Sequence, residues 1–211
     1  MADRPDRRVG EWLEALASSS PTPGGGAAAG VAAAMGAALI AMVGNLTVGK
    51  EDFAAVEDRM RSLIDTAEAE RAAFLELADR DAEAFQAVMA SFQLPKDTDE
   101  AKASRTLRIQ EAYEGAAGVP LELARRAADL MELAEVATTA GNPHASSDGY
   151  SAGALLFAAA RCAIANVRIN AAGLKDEATA RSLVDECDAI ASRSDELLAQ
   201  IEEAFQLRIA G

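Results

Sequence analysis

The chain has 211 residues, of which 20 are basic and 34 acidic, so its net charge is −14. A protein this acidic is not suited to bind nucleic acid or an anionic membrane surface, because both attract basic faces. Apolar residues make up 50% of the sequence but aromatic residues only 4%, so alanine supplies much of the apolar content. This composition favours closely packed helices over an all-β core.

The cysteines and the single histidine exclude several kinds of site. Cys162 and Cys187 lie far apart and form no CxxC pair, so we expect small, reduced core residues of a cytoplasmic protein. His144 alone cannot build an HExxH motif or most histidine-based zinc sites. The first 16 residues contain no apolar segment, so no signal peptide is expected.

The first two predicted helices differ in character. Residues 6–18 predict a short amphipathic helix with Trp12 on its apolar face. Residues 24–48 are mostly glycine and alanine and predict a buried helix that is apolar on all sides. This second segment is long enough to cross a bilayer, but alanine and glycine favour insertion much less than leucine or phenylalanine does. We therefore expect a core helix and no membrane span.

The remaining predicted helices are amphipathic. They span residues 52–92, 100–113, 120–138, 150–174 and 177–207. Pro95 ends the first of these helices, Pro120 lies in the first turn of the third, and residues 138–149 are turn-forming. No strand alternation and no internal repeat is visible. The sequence predicts an all-α protein with a single domain, residues 1–211, in which long antiparallel helices surround the Gly/Ala-rich helix.

Both ends of the Gly/Ala-rich helix carry notable residues. Gly24, Gly25 and Gly26 open it and leave amide N–H groups uncovered, which favours an anion. A simple helix cap explains these glycines equally well. Lys50 follows the other end of the helix. In a purely structural interpretation, its positive charge there interacts favourably with the negative end of the helix dipole.

Asp81 interrupts an apolar face. The residues at helical spacing around it are Leu77, Phe85, Val88 and Phe92. A carboxylate within such a face needs a partner or a shifted pKa, because an isolated buried charge is costly. An ion pair with an arginine of a neighbouring helix and a functional site are the two interpretations.

A similar face lies on the helix over residues 150–174. Asn166 and Asn170 interrupt an otherwise small, apolar stripe, where they either bond the backbone or contact a ligand. Just before this helix, Ser146, Ser147 and Asp148 stand where it needs an N-cap. Capping does not explain the density of polar groups from Asn142 to Asp148.

Six segments spread over nearly the whole chain form a specific combination. In chain order they read LASSSPTPGGGAAA, MVGNLTVGK, DAEAFQAVMASFQLPK, VPLELA, GNPHASSD and ANVRINAAGLKD. Together they resemble the cyclodeaminase/cyclohydrolase family, which includes the cyclodeaminase domain of formiminotransferase-cyclodeaminase and stand-alone methenyltetrahydrofolate cyclohydrolases. The AVMxxFxLPKxT stretch is most similar to the stand-alone cyclohydrolases.

The resemblance implies an all-helical homodimer or larger assembly that acts on the one-carbon bridge between N5 and N10 of tetrahydrofolate. We therefore predict hydrolysis of 5,10-methenyltetrahydrofolate to 10-formyltetrahydrofolate, with no metal or redox cofactor. One alternative is cyclodeamination of formimidoyltetrahydrofolate with release of ammonia. Another is a helical folate-binding or interaction protein without catalysis.

The resemblance also assigns roles to residues. Asp81 and Asp148 would stabilise the cationic substrate, and Lys50, if buried, would transfer protons. The predicted substrate-binding residues are Thr22, Pro23, Gly24, Gly25, Gly26, Asn45, Asn142, Asn166 and Asn170.

Two further expectations concern substrate access. Family members usually read Ser-Asp-x-Gly, whereas Tyr150 takes the place of that glycine here and is expected to narrow the pocket or change substrate choice. Because a charge of −14 repels folate carboxylates, local donors must bind them: the helix N-terminus, Lys50, Arg161 or Arg168.

We also expect the site to lie near a subunit boundary, because a Gly/Ala-rich centre offers little side-chain volume.

Overall fold

A computed structural model describes residues 9–210, and within this range the chain is helical without any strand. The α-helices are α1 (Val9–Leu16), α2 (Gly25–Asn45), α3 (Glu57–Ser91), α4 (Asp99–Ala140), α5 (Ser146–Ala171) and α6 (Glu177–Ala210). Two short 3-10 helices, Glu51–Val56 and Pro143–Ala145, precede α3 and α5. The predicted all-α, single-domain bundle of long helices is confirmed.

Helix α2 lies at the centre of the bundle, between α3 and α5. It runs antiparallel to α5, since Gly36 packs against Leu156, and the Asn142 amide donates to the Leu46 carbonyl at 3.1 Å. Small residues permit the close approach, because a Cβ at Gly36 would lie 2.9 Å from the Leu156 side chain. Close packing of such residues gives a dense core with few large side chains.

Helix α4 corrects one prediction. The sequence indicates two helices, over 100–113 and from Pro120, but α4 is continuous through Pro120. A proline has no N–H, so it leaves the carbonyl four residues earlier, that of Ala116, without its usual donor. The Asn170 amide of α5 donates to that carbonyl at 2.8 Å, and a side chain from a neighbouring helix thus satisfies the interrupted turn.

Other helix boundaries also differ from prediction. The segment predicted to be helical from residue 52 begins with the 3-10 helix Glu51–Val56. Helix α5 begins at Ser146, and its N-cap position is Ala145, so the predicted capping by Ser146, Ser147 or Asp148 is wrong. The first helix begins at Val9 in the described part of the chain, and residues 6–8 of its prediction lie outside that part.

Two helices are long and apolar enough to cross a membrane by length and composition: Gly25–Asn45 and residues 143–171. More than half of the apolar stretch of α2 is buried inside the bundle. Helix α2 packs against α3, which carries many charged residues, and against α5, and this burial is typical of the core helix of a bundle. Of the two cysteines, Cys187 is buried but Cys162 is exposed, which corrects its prediction as a core residue.

Candidate functional site

Asp81 of α3 lies against the first turn of α2. The backbone N–H of Ala27 donates to its carboxylate, and a Cβ at Gly26 would collide with its carboxyl group. The first amides of a helix have no partner within the helix. The uncovered N–H groups predicted to take up an anion therefore receive the carboxylate of Asp81, and the glycine at position 26 allows this contact.

Burial controls the ionisation of Asp81. Desolvation raises the pKa of this half-buried carboxyl above its ordinary value, and the hydrogen bond from Ala27 opposes the rise without cancelling it. The predicted alternative of an ion pair is not observed, since no Lys or Arg nitrogen of residues 9–210 forms a salt bridge with it. A carboxylate in this environment is suited to accept a proton or to face a cation.

Asp81 opens onto a cavity of about 320 Å³ between α3, α4 and α5, here called the Asp81 cavity. Its polar lining is Asp81, Asn166 and Asn170, and its other walls are Phe85, Val88, Met89, Phe92, Tyr113, Ala116 and Ile169. A few polar groups at one end of an apolar pocket are typical of small-molecule sites, which span about 300–1,000 Å³. The cavity is at the small end of that range.

The two amides of the cavity have fixed orientations. Asn166 donates to the Cys162 carbonyl at 2.9 Å, and Asn170 donates to the Ala116 carbonyl at 2.8 Å. Because backbone carbonyls take an N–H of each amide, the amide oxygens are the groups that can accept from a ligand. The structural interpretation and the binding interpretation of these residues are therefore compatible.

The glycine motif stands beside the same cavity. A Cβ at Gly25 would lie 3.8 Å from the Asn166 side-chain nitrogen. Gly24 occupies the N-cap position, and the preceding residues, half-buried Thr22 and buried Pro23, lead into the helix. The structure thus brings Gly25, Gly26, Asp81, Asn166 and Asn170 together at one end of α2.

The other predicted residues lie at the opposite end of α2. Asn45 ends the helix, and Lys50 follows at the N-cap of the next 3-10 segment. Gly25 and Asn45 are 20 residues apart in one helix, which corresponds to about 30 Å. Lys50 is exposed, so the burial on which its predicted proton transfer depends is not present within a single chain. We call Asn45, Lys50, Asn142 and Asp148 the Lys50 end.

Asn142 joins two segments at the Lys50 end. Its backbone N–H donates to the Thr47 hydroxyl at 2.9 Å, and its side chain donates to the Leu46 carbonyl and accepts from the His144 N–H, both at 3.1 Å. These contacts fix the turn before α5 onto the end of α2. Asp148 lies half-buried in the first turn of α5, away from the Asp81 cavity.

Tyr150 does not narrow the Asp81 cavity. Its ring stacks on Phe205 of α6, with centroids 5.2 Å apart and an interplanar angle of 27°. The adjacent Gly149 lets α5 approach α4, because a Cβ there would lie 2.5 Å from the Thr138 hydroxyl. Within one chain Tyr150 therefore packs between helices and does not narrow that pocket, and its effect on substrate choice stays a prediction.

Arg161 and Arg168 were expected to supply positive charge to a ligand. They instead form ion pairs with α6: Arg161 lies 3.7 Å from Asp195, and Arg168 lies 2.5 Å from Asp188. These pairs join α5 to α6 on a partly exposed surface. Neither arginine lines the Asp81 cavity.

A larger cavity of about 570 Å³ lies between α3 and α4, and it contains none of the predicted site residues. Its charged side chains are engaged in ion pairs: Arg126 lies 2.9 Å from Glu70 and 3.2 Å from Glu122. Arg125 and Asp129 pair with Glu186 and Arg193 of α6. A set of interhelical ion pairs accounts for these residues. We therefore place the candidate site at the Asp81 cavity in spite of its smaller volume.

Comparison with known proteins agrees with the geometry. The formiminotransferase-cyclodeaminase family model matches residues 8–189. The chain belongs to this family. It is 40% identical to a methenyltetrahydrofolate cyclohydrolase of Methylorubrum extorquens, over 94% of this chain and 95% of that protein.

Some of the relatives are longer than this chain. The formimidoyltransferase-cyclodeaminase of Sus scrofa is 38% identical over 79% of this chain, but the match covers 31% of the pig protein. The chain thus spans about a third of that relative. The crystal structure of a formiminotetrahydrofolate cyclodeaminase from Thermotoga maritima superimposes with a TM-score of 0.86 and 28% identity, covering 96% of this chain and 97% of the other.

Sequence reasoning missed part of the cavity of this family member. Tyr113, Met89 and Ile169 line it, but an apolar residue on an amphipathic helix gives no sign of whether it faces a cavity or the core. The Tyr113 ring packs over Gly173 at the end of α5, and this contact between α4 and α5 is visible only in the structure. Residues 9–210 contain no group of three or more His, Cys, Asp and Glu side chains suited to a metal ion.

Proposed function

We propose that the protein hydrolyses 5,10-methenyltetrahydrofolate to 10-formyltetrahydrofolate in the Asp81 cavity. The relative that is 40% identical over nearly its whole length bears the name of that enzyme. The observation that carries the proposal is the half-buried Asp81 carboxylate, held without a cationic partner beside two oriented amides and an apolar wall. Such a site leaves room for a cation, and the substrate is one.

The chemistry of the substrate matches this arrangement. Its one-carbon unit is an amidinium-like cation between N5 and N10, and water adds to that carbon. The carboxylate of Asp81 stabilises the cation and accepts a proton from the attacking water. The resulting carbinolamine breaks its bond to N5 and leaves the formyl group on N10, with net release of one proton.

The remaining walls account for the rest of the substrate. The amide oxygens of Asn166 and Asn170 accept hydrogen bonds from N–H groups of the pterin ring. The rings of Phe85, Phe92 and Tyr113 offer apolar and stacking surface to the aryl group. The polar end of the cavity thus binds the reacting part, and the aromatic end binds the aryl part.

We also propose that a second copy of the chain completes the site. The side chains of Met35 and Met42 on α2, and of Leu46 at its C-cap, are 54%, 45% and 38% exposed, and their spacing places them on one face of this apolar helix. An exposed apolar stripe of this kind is a candidate interface. Met35 is also the middle residue of α2, which spans residues 25–45.

A two-fold axis near Met35 would reverse α2 against its partner. The Lys50 end of one chain would then lie beside the Asp81 cavity of the other, and the partner's Lys50 would be near the reacting carbon. This arrangement accounts for both the small cavity and the exposed lysine. Light scattering at micromolar concentration should give at least a dimer, and Met35→Glu should shift it toward ~22 kDa. A wild-type monomer would contradict this proposal.

A second candidate reaction is cyclodeamination of formimidoyltetrahydrofolate. The similarity to the Thermotoga maritima cyclodeaminase along nearly the whole of both chains favours it, and the same side chains would serve. Purified protein is given each substrate in a separate assay, in which the loss of methenyl absorbance is followed for one substrate and the release of ammonia for the other. Loss of absorbance without ammonia supports hydrolysis, and ammonia release supports the alternative. Folate binding by calorimetry without either turnover would identify a non-catalytic binding protein.

The proposal needs no redox cofactor, because water addition and C–N cleavage leave the oxidation state of the one-carbon unit unchanged. It needs no metal because Asp81 is assigned both the stabilisation of the cation and the acceptance of the proton. Activity should survive dialysis against a chelator, and a chelator-sensitive activity would contradict this part. We place the enzyme in the cytoplasm, in keeping with the free thiols of Cys162 and Cys187. Cell fractionation tests the location.

A further inference from the structure

Arg105 of α4 is a half-buried cation without a carboxylate partner. Its Nη2 donates to the Phe92 carbonyl at 3.1 Å, and its guanidinium carbon lies 5.7 Å from the centroid of the Phe92 ring. Its Nε is buried and has no acceptor. Within residues 9–210 it forms no salt bridge, although the chain carries 34 acidic residues. By contrast, Arg108 on the next turn pairs with Glu111 at 2.8 Å.

The position of Arg105 relates it to the Asp81 cavity. Phe92 lines that cavity and makes an edge-to-face contact with Tyr113, with centroids 6.1 Å apart. Arg105 lies against the same Phe92 ring. Along α4 it is 11 residues from Ala116, which contacts Asn170, or about 16 Å. The guanidinium is therefore beyond the aromatic end of the cavity, opposite Asp81 and the two amides.

We propose that Arg105 binds a carboxylate of the glutamate tail of the folate substrate. This inference rests on the proposed function, which places the one-carbon bridge at Asp81 and the aryl ring between Phe92 and Tyr113. The glutamate lies on the far side of the aryl ring from the reacting carbon, so it leaves the cavity toward Arg105. A planar guanidinium with free N–H groups matches a carboxylate in shape and charge.

The charge distribution supports the same assignment. An acidic protein repels a polyanionic tail, so binding requires a local cation. Arg161 and Arg168 are engaged by Asp195 and Asp188, whereas Arg105 retains unused donors beside the cavity. The contact with Phe92 also holds the guanidinium in place, which reduces the entropy lost when a carboxylate binds.

The test compares two ligands on two proteins. Calorimetry measures the binding of folic acid and of pteroic acid, which lacks the glutamate, to the wild type and to Arg105→Gln. We expect the wild type to prefer folic acid by about 10-fold or more, as for a charge-assisted pair, and Arg105→Gln to lose that preference while binding pteroic acid unchanged. Arg105→Lys should retain part of it, and Arg181→Gln, an exposed arginine of α6, should retain all of it.

The outcomes separate this inference from the proposed function. Three results would each overturn the role of Arg105. Arg105→Gln could lower the affinity for folic acid and pteroic acid equally, it could leave the preference for folic acid unchanged, or the wild type could show no preference. Circular dichroism and thermal melting identify a variant that fails to fold, in which case Arg105→Lys decides. Turnover of methenyltetrahydrofolate is measured separately, and its absence would overturn the proposed reaction without affecting the binding result.

Discussion

The N–H of Ala27 donates to the carboxylate of Asp81 across the contact between α2 and α3. This one hydrogen bond joins the glycine motif at the start of the central helix to an acidic residue that interrupts an apolar face of α3. It also fixes the direction of the carboxylate, because a helix N-terminus favours a negative charge in front of its amides. Burial meanwhile raises the pKa of Asp81.

Replacement of Asp81 by asparagine removes the charge but keeps the shape and an acceptor for Ala27. If Asp81 stabilises a cationic transition state, kcat/KM should fall by about 2–4 kcal/mol in transition-state free energy, while the melting temperature at pH 7 is retained or rises. Glu83→Gln, an exposed acid on the same helix, is the matched control and should change neither. An Asp81→Asn variant that melts early but turns over at the wild-type rate would refute the assignment.

The raised pKa of Asp81 also predicts opposite effects of pH on stability and activity. The folded state binds the proton of this carboxyl more tightly than the unfolded state does, so ionisation destabilises the fold. Relative to Asp81→Asn, the wild type should gain stability as the pH falls through the raised pKa toward the ordinary value of 3.8. Its kcat/KM should fall over the same range, because the base becomes protonated.

Urea unfolding of both proteins between pH 4 and pH 7 measures this difference. Groups with a lowered pKa, such as Glu186 beside Arg125, lose stability at low pH in both proteins and cancel. A difference that grows with rising pH in favour of the wild type would show that Asp81 is stabilised as an anion.

Gly26 should tolerate no side chain. In Gly26→Ala the Cβ collides with the Asp81 carboxyl group, so the Asp81 side chain must rotate away from the α2 amides or α3 must move, at a cost of about 1–3 kcal/mol, and activity should fall. Gly118 lies within α4 with nothing within 4 Å of an added Cβ. Gly118→Ala should stabilise the protein by about 0.5–1 kcal/mol, as for an open helix position. Denaturant unfolding measures both variants, and equal changes in their free energy of unfolding would contradict this prediction.

Asn170 should be needed for stability because of Pro120. In Asn170→Leu the buried Ala116 carbonyl loses its donor, at a cost of about 1–3 kcal/mol. In a Pro120→Ala background the backbone N–H of residue 120 can bond that carbonyl, so the same substitution should cost less. A double-mutant cycle measures the coupling. Strictly additive free energies of unfolding would show that Asn170 does not replace the missing bond.

The sequence was sufficient to predict where helices form, but not where one helix ends and the next begins. The run of Gly and Ala at 24–48 predicts a central buried helix, because no side of it carries a charge. The break predicted at Pro120 fails because the compensating donor, Asn170, comes from another helix. The N-cap predicted for α5 fails because Asn142 caps the 3-10 segment that precedes it.

For the site, the pattern of apolar and polar residues on each helix face identified candidate residues, but not which of them lie close together in the fold. Asp81, Asn166 and Asn170 stand out because each interrupts an apolar stripe, and they do line one cavity. Lys50 stands out as well, but helix length places it about 30 Å away in the same chain. A pattern along one helix carries no information on which end of the bundle, or which subunit, a residue joins. Arg105 escaped notice because its lack of an acidic partner is visible only in three dimensions.

The most direct measurement of the shared site is complementation between two inactive variants. Asp81→Asn and Lys50→Met should each lower kcat by about 10²-fold or more with helix content retained. Co-expressed or mixed in equal amounts, they form mixed dimers in which one of the two sites has both wild-type residues. The loss of methenyl absorbance should then recover to about a quarter of the wild-type rate, as random pairing of two-fold dimers requires. A mixture that stays as slow as the separate variants, although subunits have exchanged, would contradict a site built from Asp81 of one chain and the partner's Lys50.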